Sequence, residues 1–220
     1  MSSPQDTDGR GTGATGPAPV AASGLEAVES LQAPVAPPGA VAVFGDRLEM
    51  AERFASLLAD TGVSHGLIGP REVPILWERH ILNCAVAHEA FPMGAEVVDV
   101  GSGAGLPGLA LAIVRPDLSL HLVEPMLRRT NWLSASIAGL GLENCTVHRG
   151  RAEEFRGRIE VPFATARAVA RIDKLARWTF PLLTDGGTLV ALRGSQAEEE
   201  LAAEGAVLRR LGMVSAAVQT

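Results

Sequence analysis

Residues Val97–Leu111, VVDVGSGAGLPGLAL, place Gly101, Gly103, Gly105 and Gly108 within eight positions, directly behind an apolar stretch that carries one acid, Asp99. Glycine is needed where a backbone takes positive φ or passes close to a ligand, so this density at a strand-to-helix turn points to a bound group rather than to packing. Pro107 suits the first helical turn that follows, where its missing N–H costs nothing. Glu124 closes the next apolar stretch, LHLVE, 23 residues after Gly101. An acid at that place can accept hydrogen bonds from both hydroxyls of a ribose, and bonds to a charged acceptor are worth about 1.5–3 kcal/mol each.

Two ligand classes compete for the glycine turn. GAGLPG, Gly103–Gly108, formally matches the G-x-G-x-x-G of dinucleotide-binding turns. Such a turn opens immediately after its strand, however, and in that register Gly101, Gly103 and Leu106 hold the three glycine positions, so the third fails. A carboxylate two residues before the first glycine would repel a pyrophosphate, whereas S-adenosylmethionine has no phosphate and carries an ammonium and a sulfonium. Asp99 is therefore expected to favour the methyl donor. Glu124 serves either ligand and leaves a nicotinamide cofactor in play.

The elements that must position these residues are strands alternating with helices. From Glu96 onward EVVDV, LSLHLVE, CTVHRG, FATARAV and GGTLVALRG are each followed by a helical pattern. Repeats of that length predict an α/β fold with a mostly parallel sheet, covered on both faces through right-handed crossovers. Its ligand crevice then lies at the carboxyl ends of the strands, where the strand order reverses. The expected organisation is a disordered Gly, Pro, Ser and Ala-rich tail over residues 1–40, a helical cap over 41–93, and the sheet domain over 94–220.

Composition narrows the class. A chain of 220 residues with 47% apolar content can bury one good core. No apolar run approaches the roughly 20 residues of a membrane span and no basic-then-apolar leader opens the sequence, so a cytosolic protein without a membrane role is expected. Cys84 and Cys145 are read as two reduced thiols. His80 and Cys84, four apart, are read as a packing pair rather than metal ligands, because no third or fourth ligand is spaced nearby; no metal is expected. Trp77, Trp132 and Trp178 are read as core or rim residues.

The net charge of −6 argues against nonspecific nucleic-acid binding by the whole molecule, yet 11 of the 19 Lys and Arg and only 6 of the 25 Asp and Glu fall between Arg128 and Arg193. A basic region thus lies within an acidic protein.

VVDVGSGAGLPGLALAIVRPDL, WERHILNC, GRAEEF, ARAVARIDKL and LVALRGSQ, in this order, closely resemble the bacterial 16S ribosomal RNA 7-methylguanosine methyltransferase G family, also called glucose-inhibited division protein B. The resemblance runs from about Phe44 to the carboxyl end. It implies a Rossmann-like methyltransferase fold, S-adenosylmethionine as cofactor, and 16S rRNA in the small subunit or its precursor as partner; a monomer is expected. The target it implies is N7 of a guanine, number 527 in conventional rRNA numbering. By the same resemblance Gly101 and Leu106 contact the methyl donor, Ala152 and Glu153 lie beside the adenine, and Arg167 is a cofactor-site arginine. With Asp99, Gly103 and Glu124 from the residues themselves, these make up the expected cofactor set.

Two departures from the family pattern stand out. Arg193 occupies a position where the family often has lysine, which keeps the charge but excludes any role for a deprotonated amine. The family fold closes its sheet with an antiparallel hairpin, and only MVSAAVQT follows the last helical pattern here, so a last strand is expected to be missing.

The chemistry implied agrees with what the sequence lacks. No Asp-Pro-Pro-Tyr-like segment follows the fourth strand, as an exocyclic amine target would call for, and no Pro-Cys dipeptide offers a nucleophile for pyrimidine C5. Guanine N7 has an in-plane lone pair and needs no general base. No acid–base catalyst is assigned. Arg167 and Arg193 are the candidates for orienting the guanine or a phosphate, and Arg128, Arg129 and Arg171 join them as candidate RNA contacts. A small-molecule methyltransferase, a nicotinamide-binding oxidoreductase, and a ribosome-binding protein that keeps the pocket without catalysis are the alternatives.

Overall fold

The computed structural model describes Met1 and residues 31–219. Most of the expected amino-terminal tail, residues 2–30, lies outside the described residues. The boundary expected at residue 40 falls inside the first helix, α1 (Pro38–Phe44), which opens on a proline already set for helical φ. Trp77 reaches back before that helix and donates its Nε1–H to the Pro34 carbonyl at 2.9 Å.

After α1 comes α2 (Leu48–Leu57), which buries Ala51, Phe54 and Ala55 at three- and four-residue spacing. The stretch around WERHILNC is a tighter and looser sequence of turns than the regular helix its periodicity predicts. It runs as a 3-10 segment (Pro70–Ile75), a π segment (Leu76–Leu82), α3 (Asn83–Ala85) and a second 3-10 segment (Val86–Ala90). Leu76, Trp77, His80, Ile81, Cys84 and Ala85 all point inward.

The sheet has five strands: β1 (Glu96–Val100), β2 (Ser119–Glu124), β3 (Cys145–Arg149), β4 (Val161–Arg167) and β5 (Leu183–Leu192). Every pairing is parallel, in the order β3-β2-β1-β4-β5. β1 is buried on both faces through Val97, Val98 and Val100, as a central parallel strand must be. The crossovers carry α4 (Gly108–Val114), α5 (Leu127–Leu140) and α6 (Ile172–Thr179). GRAEEF gives only a 3-10 turn (Ala152–Phe155), and α7 (Ala197–Arg210) follows β5. Acids in the first turn of α7 and arginines in its last turn oppose the helix dipole. Among the described residues no strand follows α7 and no helix is long and apolar enough to cross a membrane.

One face of the sheet and the amino-terminal helices share a single core, in which Phe44, Phe54, Leu58 and Trp77 join Val97, Leu109, Leu111 and Leu122. The other face is packed by Val98, Val100, Val123, Phe155, Val161 and Leu182. Strand order reverses between β1, which pairs with β2 on one side, and β4 on the other. The ends of β1 and β4 therefore flank the crevice of this Rossmann-like sheet.

Candidate active site

The glycine turn hangs on β2. Gly101 and Ser102 donate their amides to the Val123 carbonyl at 2.8 and 3.2 Å, and Gly103 donates to Glu124 Oε2 at 3.1 Å. Gly101, Gly103 and Gly105 take φ of +77°, +52° and +77°, which side-chain-bearing residues rarely adopt. Gly108 is needed for a different reason: a Cβ there would lie 2.4 Å from Leu122 Cδ2 and 2.6 Å from Asp99 Oδ2, so helix and strand could not close.

Glu124 is 2% exposed and works as a bracket. Its Oε2 accepts from Gly103 and its Oε1 from Met126 N–H at 3.0 Å, with Arg129 Nη1 at 3.6 Å from Oε2. Each carboxylate oxygen keeps a lone pair for a further donor.

Asp99 has another task than the one expected from its place in the sequence. It is fully buried, and its Oδ2 accepts the Gly108 amide at 3.1 Å, under the start of α4. Burial, only partly offset by hydrogen bonds from Ser102 and Gly108, pushes its pKa up to about 7. Asp99 thus braces the start of α4 from within the wall and has no exposed surface toward the crevice, a placement its position in the sequence does not show. Its Oδ1 is buried with no hydrogen-bond partner.

The turn and its surroundings can take a ligand that carries a ribose. Gly101–Gly108 contains no Lys or Arg, the Glu124 oxygens can take hydroxyl donors, and above Gly103 a Cβ would find nothing closer than the Gly101 carbonyl at 3.7 Å. Leu106 is buried in the turn. Ala152, also buried, and Glu153, exposed, follow β3 just after Gly150, whose amide donates to the Glu124 carbonyl at 3.2 Å.

Across the crevice β4 ends on Arg167. The loop after it carries Ala168 at φ +54°, the one non-glycine residue of positive φ among those described. Val169 sits on the turn, its Cγ1 2.4 Å from where a Cβ on Gly101 would be. An open pocket of about 630 Å³ lies over the ends of β4 and β5, bordered by Arg79, Asn83, Arg167, Arg193 and Gln196. Arg167 Nη1 donates to His80 Nδ1 at 3.0 Å and lies 3.4 Å from the Arg79 carbonyl; His80 Nε2 pairs with Glu72 Oε2 at 2.7 Å. This contact between cap and sheet is invisible to local spacing, which read His80 as packing alone.

Arg193 is spent on the protein itself. It bonds Glu200 through Nε and Nη2 at 2.7–3.0 Å and donates Nη1–H to the Ala170 carbonyl at 2.6 Å. Glu200 also accepts the Ile172 amide at 2.8 Å, so the pair clamps the loop between β4 and α6. Arg171 pairs with Glu204. Of the five arginines expected at this edge, only Arg128 and Arg167 lack an ion pair among the described residues.

The thiols of Cys84 and Cys145 are pushed up to about 12 by burial and offer no thiolate nucleophile at neutral pH. Trp77 and Trp132 are core residues, and Lys174 stacks over the partly buried Trp178 at 4.9 Å.

The family model for rRNA small subunit methyltransferase G matches residues 47–220. A ribosomal RNA small subunit methyltransferase G of Streptomyces avermitilis is 56% identical over 191 residues, which cover 86% of this chain and 80% of that protein. Its counterpart in Streptomyces coelicolor is 57% identical over 185 residues, 84% of this chain and 77% of that one. Among solved structures, a precorrin-6y C5,15-methyltransferase from Geobacter metallireducens is a distant likeness, with a TM-score of 0.48 at 14% identity over 69% of this chain and 77% of that one. The nicotinamide and small-molecule alternatives fall away. The chain belongs to the rRNA small subunit methyltransferase G family, and is an S-adenosylmethionine-dependent enzyme that methylates small-subunit ribosomal RNA.

Proposed function

We propose that the methyl group goes to N7 of a guanine in 16S rRNA, the one numbered 527 in conventional numbering, and that the acceptor is the small subunit or its precursor. In this reading the enzyme is a cytoplasmic monomer, organised as a cap over residues 41–93 on a methyltransferase domain over 94–220.

The observation that carries the proposal is the buried Glu124 carboxylate holding Gly103 at the end of β2, beside the switch point of the sheet. Glu124 accepts the ribose hydroxyls of the donor, Gly101, Gly103 and Leu106 form its cradle, and Ala152 and Glu153 flank the adenine. Asp99 supports the cradle from beneath through Gly108. Bound S-adenosylmethionine supplies the electrophilic methyl. Arg167 faces the pocket over β4 and β5, where a splayed guanine or its phosphate fits. N7 would take the methyl on its lone pair as the methyl–sulfur bond breaks and the neutral thioether, S-adenosylhomocysteine, leaves; no proton has to leave N7 first, so these residues act by holding the guanine in line. Such positioning can lower a barrier by roughly 7–11 kcal/mol. Arg193 acts on the same pocket indirectly, by fixing its loop.

Calorimetric titration with S-adenosylhomocysteine and with NAD, followed by methyl transfer to isolated small subunits and to naked 16S rRNA, tests the proposal. Binding of the homocysteine compound and methylation of one guanine are expected; binding of NAD alone, or label on another base, overturns it.

A further inference from the structure

Arg167 is the residue on the acceptor side whose orientation has to be explained. Its guanidinium has no carboxylate within ion-pair distance among the described residues, and it stands at the last position of β4, beside the positive-φ Ala168. What holds it is a histidine 87 positions earlier in the chain.

His80 has both ring nitrogens engaged, Nδ1 with Arg167 at 3.0 Å and Nε2 with Glu72 at 2.7 Å. An arginine does not give up its proton, so Nδ1 must be the acceptor. The ring is then the neutral tautomer with its proton on Nε2, donated to Glu72. Each link fixes the next: the Glu72 carboxylate sets the tautomer, the tautomer presents a lone pair, and the lone pair takes one Nη1 hydrogen of the guanidinium. Nη1 also reaches the Arg79 carbonyl at 3.4 Å, and the donors on Nε and Nη2 stay available to the pocket that Arg167 borders. His80 is 8% exposed and anchored on the π segment between Trp77 and Ile81, both fully packed, so the bracket is rigid.

We propose that His80 is a positioning residue of the methyl transfer: backed by Glu72, it aims the Arg167 guanidinium at the acceptor pocket, so that the amino-terminal cap helps to build the active site. The proposal rests on the reading above that Arg167 touches the substrate or the donor.

A proton on Nδ1 would break the link. The charged groups that face the ring are Glu72 and Arg79 from the cap and Arg167 from β4. Burial is the largest influence and Arg167 and Arg79 add to it, so that His80 holds a proton less readily than an ordinary histidine although Glu72 favours one. The link is therefore intact at neutral pH and fails in acid.

The test is a double-mutant cycle on methyl transfer to small subunits, using Arg167→Met, His80→Phe, their combination and His80→Asn, each also melted thermally. The Asn amide oxygen can replace Nδ1, whereas Phe keeps the ring volume without an acceptor. Arg167→Met should lower kcat/KM by about a hundredfold and His80→Phe by about tenfold, since a charge-assisted hydrogen bond is at stake. The double variant should be no worse than Arg167→Met alone, because the two residues act as one unit. His80→Asn should return to within about threefold of the parent, and its activity should lose the fall at acid pH that the parent shows. A silent Arg167→Met would sink the role of Arg167 and this proposal with it. A costly Arg167→Met with a harmless His80→Phe, with additive losses, or with no rescue by Asn would leave that role standing and overturn this proposal alone. Should His80→Phe fail to fold, the rescue and the pH profile of His80→Asn decide the matter.

Discussion

Glu124 holds Gly103: a carboxylate oxygen at the end of β2 accepts the amide of the central glycine of the turn at 3.1 Å, while the other oxygen of the same group accepts Met126 N–H at 3.0 Å. One side chain thus shapes the loop and, in the proposed reading, also presents acceptors to the donor. Glu124→Ala leaves two N–H groups without partners, at about 1–3 kcal/mol each. Thermal melting should fall accordingly, and calorimetry should show S-adenosylhomocysteine affinity reduced at least about tenfold. Glu124→Gln, with one acceptor left, should lie between. Unchanged affinity in the alanine variant would contradict the assignment.

Gly101 and Gly108 fail for different reasons when given a side chain. At Gly101 the backbone has φ +77° and Val169 blocks the Cβ, so Gly101→Ala should displace the loop after β4 and lose donor binding. At Gly108 the Cβ meets Leu122 and Asp99, so Gly108→Ala should chiefly destabilise, by about 1–3 kcal/mol for overpacking. Gly157→Ala, at φ +70° in open space, supplies the control for backbone strain alone. Denaturant melts and donor titration separate the three, and equal behaviour of Gly101→Ala and the control would refute the steric account.

Asp99 makes stability depend on pH in an unusual direction. Its folded pKa, pushed by burial up to about 7, exceeds the unfolded value of 3.8. The protonated side chain is the stable one in the fold. Its contribution is complete below the unfolded pKa and is lost as pH rises through the folded pKa, on the order of 4 kcal/mol in all. Asp99→Asn removes this slope, so the stability of the variant relative to the parent should rise between about pH 4 and pH 8. Urea melts across that range measure it. A flat difference would mean that Asp99 is ionised in the fold throughout.

A cation bound near the turn favours the ionised form of Asp99. Binding of S-adenosylmethionine near pH 7 should therefore release protons, seen as a binding enthalpy that changes with the ionisation enthalpy of the buffer. Asp99→Asn should abolish most of that release; release that survives the substitution would place its source elsewhere.

Arg193 and Glu200 clamp the loop from Ala168 to Arg171 through the Ala170 carbonyl and the Ile172 amide. Arg193→Met should raise hydrogen exchange at residues 168–172 and lower methyl transfer, with donor affinity less affected. Arg193→Lys should rescue only in part, because an ammonium cannot reproduce the two-pronged contact with Glu200. Normal exchange in the Met variant would remove the clamp from the account.

The strands were legible as short apolar clusters: β1, central and buried on both faces, carries Val97, Val98 and Val100, and β5, at the sheet edge and only partly buried, still shows TLVAL. The turn was legible because its glycines cannot be replaced. The inward course of Asp99 was not, since on a strand buried on both sides the alternation that separates wall from crevice is silent. Nor could spacing show that Arg193 is taken up by Glu200 or that His80 meets Arg167, contacts that folding creates between distant segments. WERHILNC carried a helical period, yet its turns tighten and loosen around Pro74 and the buried Trp77.

The central claim is tested most directly on 16S rRNA from a bacterial strain deleted for its own copy of this enzyme and complemented with this chain. Nuclease fragments of that RNA, weighed by mass spectrometry, should show one added methyl on a single guanine, at N7, when the parent chain is supplied, and none with Glu124→Ala. A methyl on any other base or atom, or an unmethylated 16S rRNA with the parent chain expressed and folded, would contradict it.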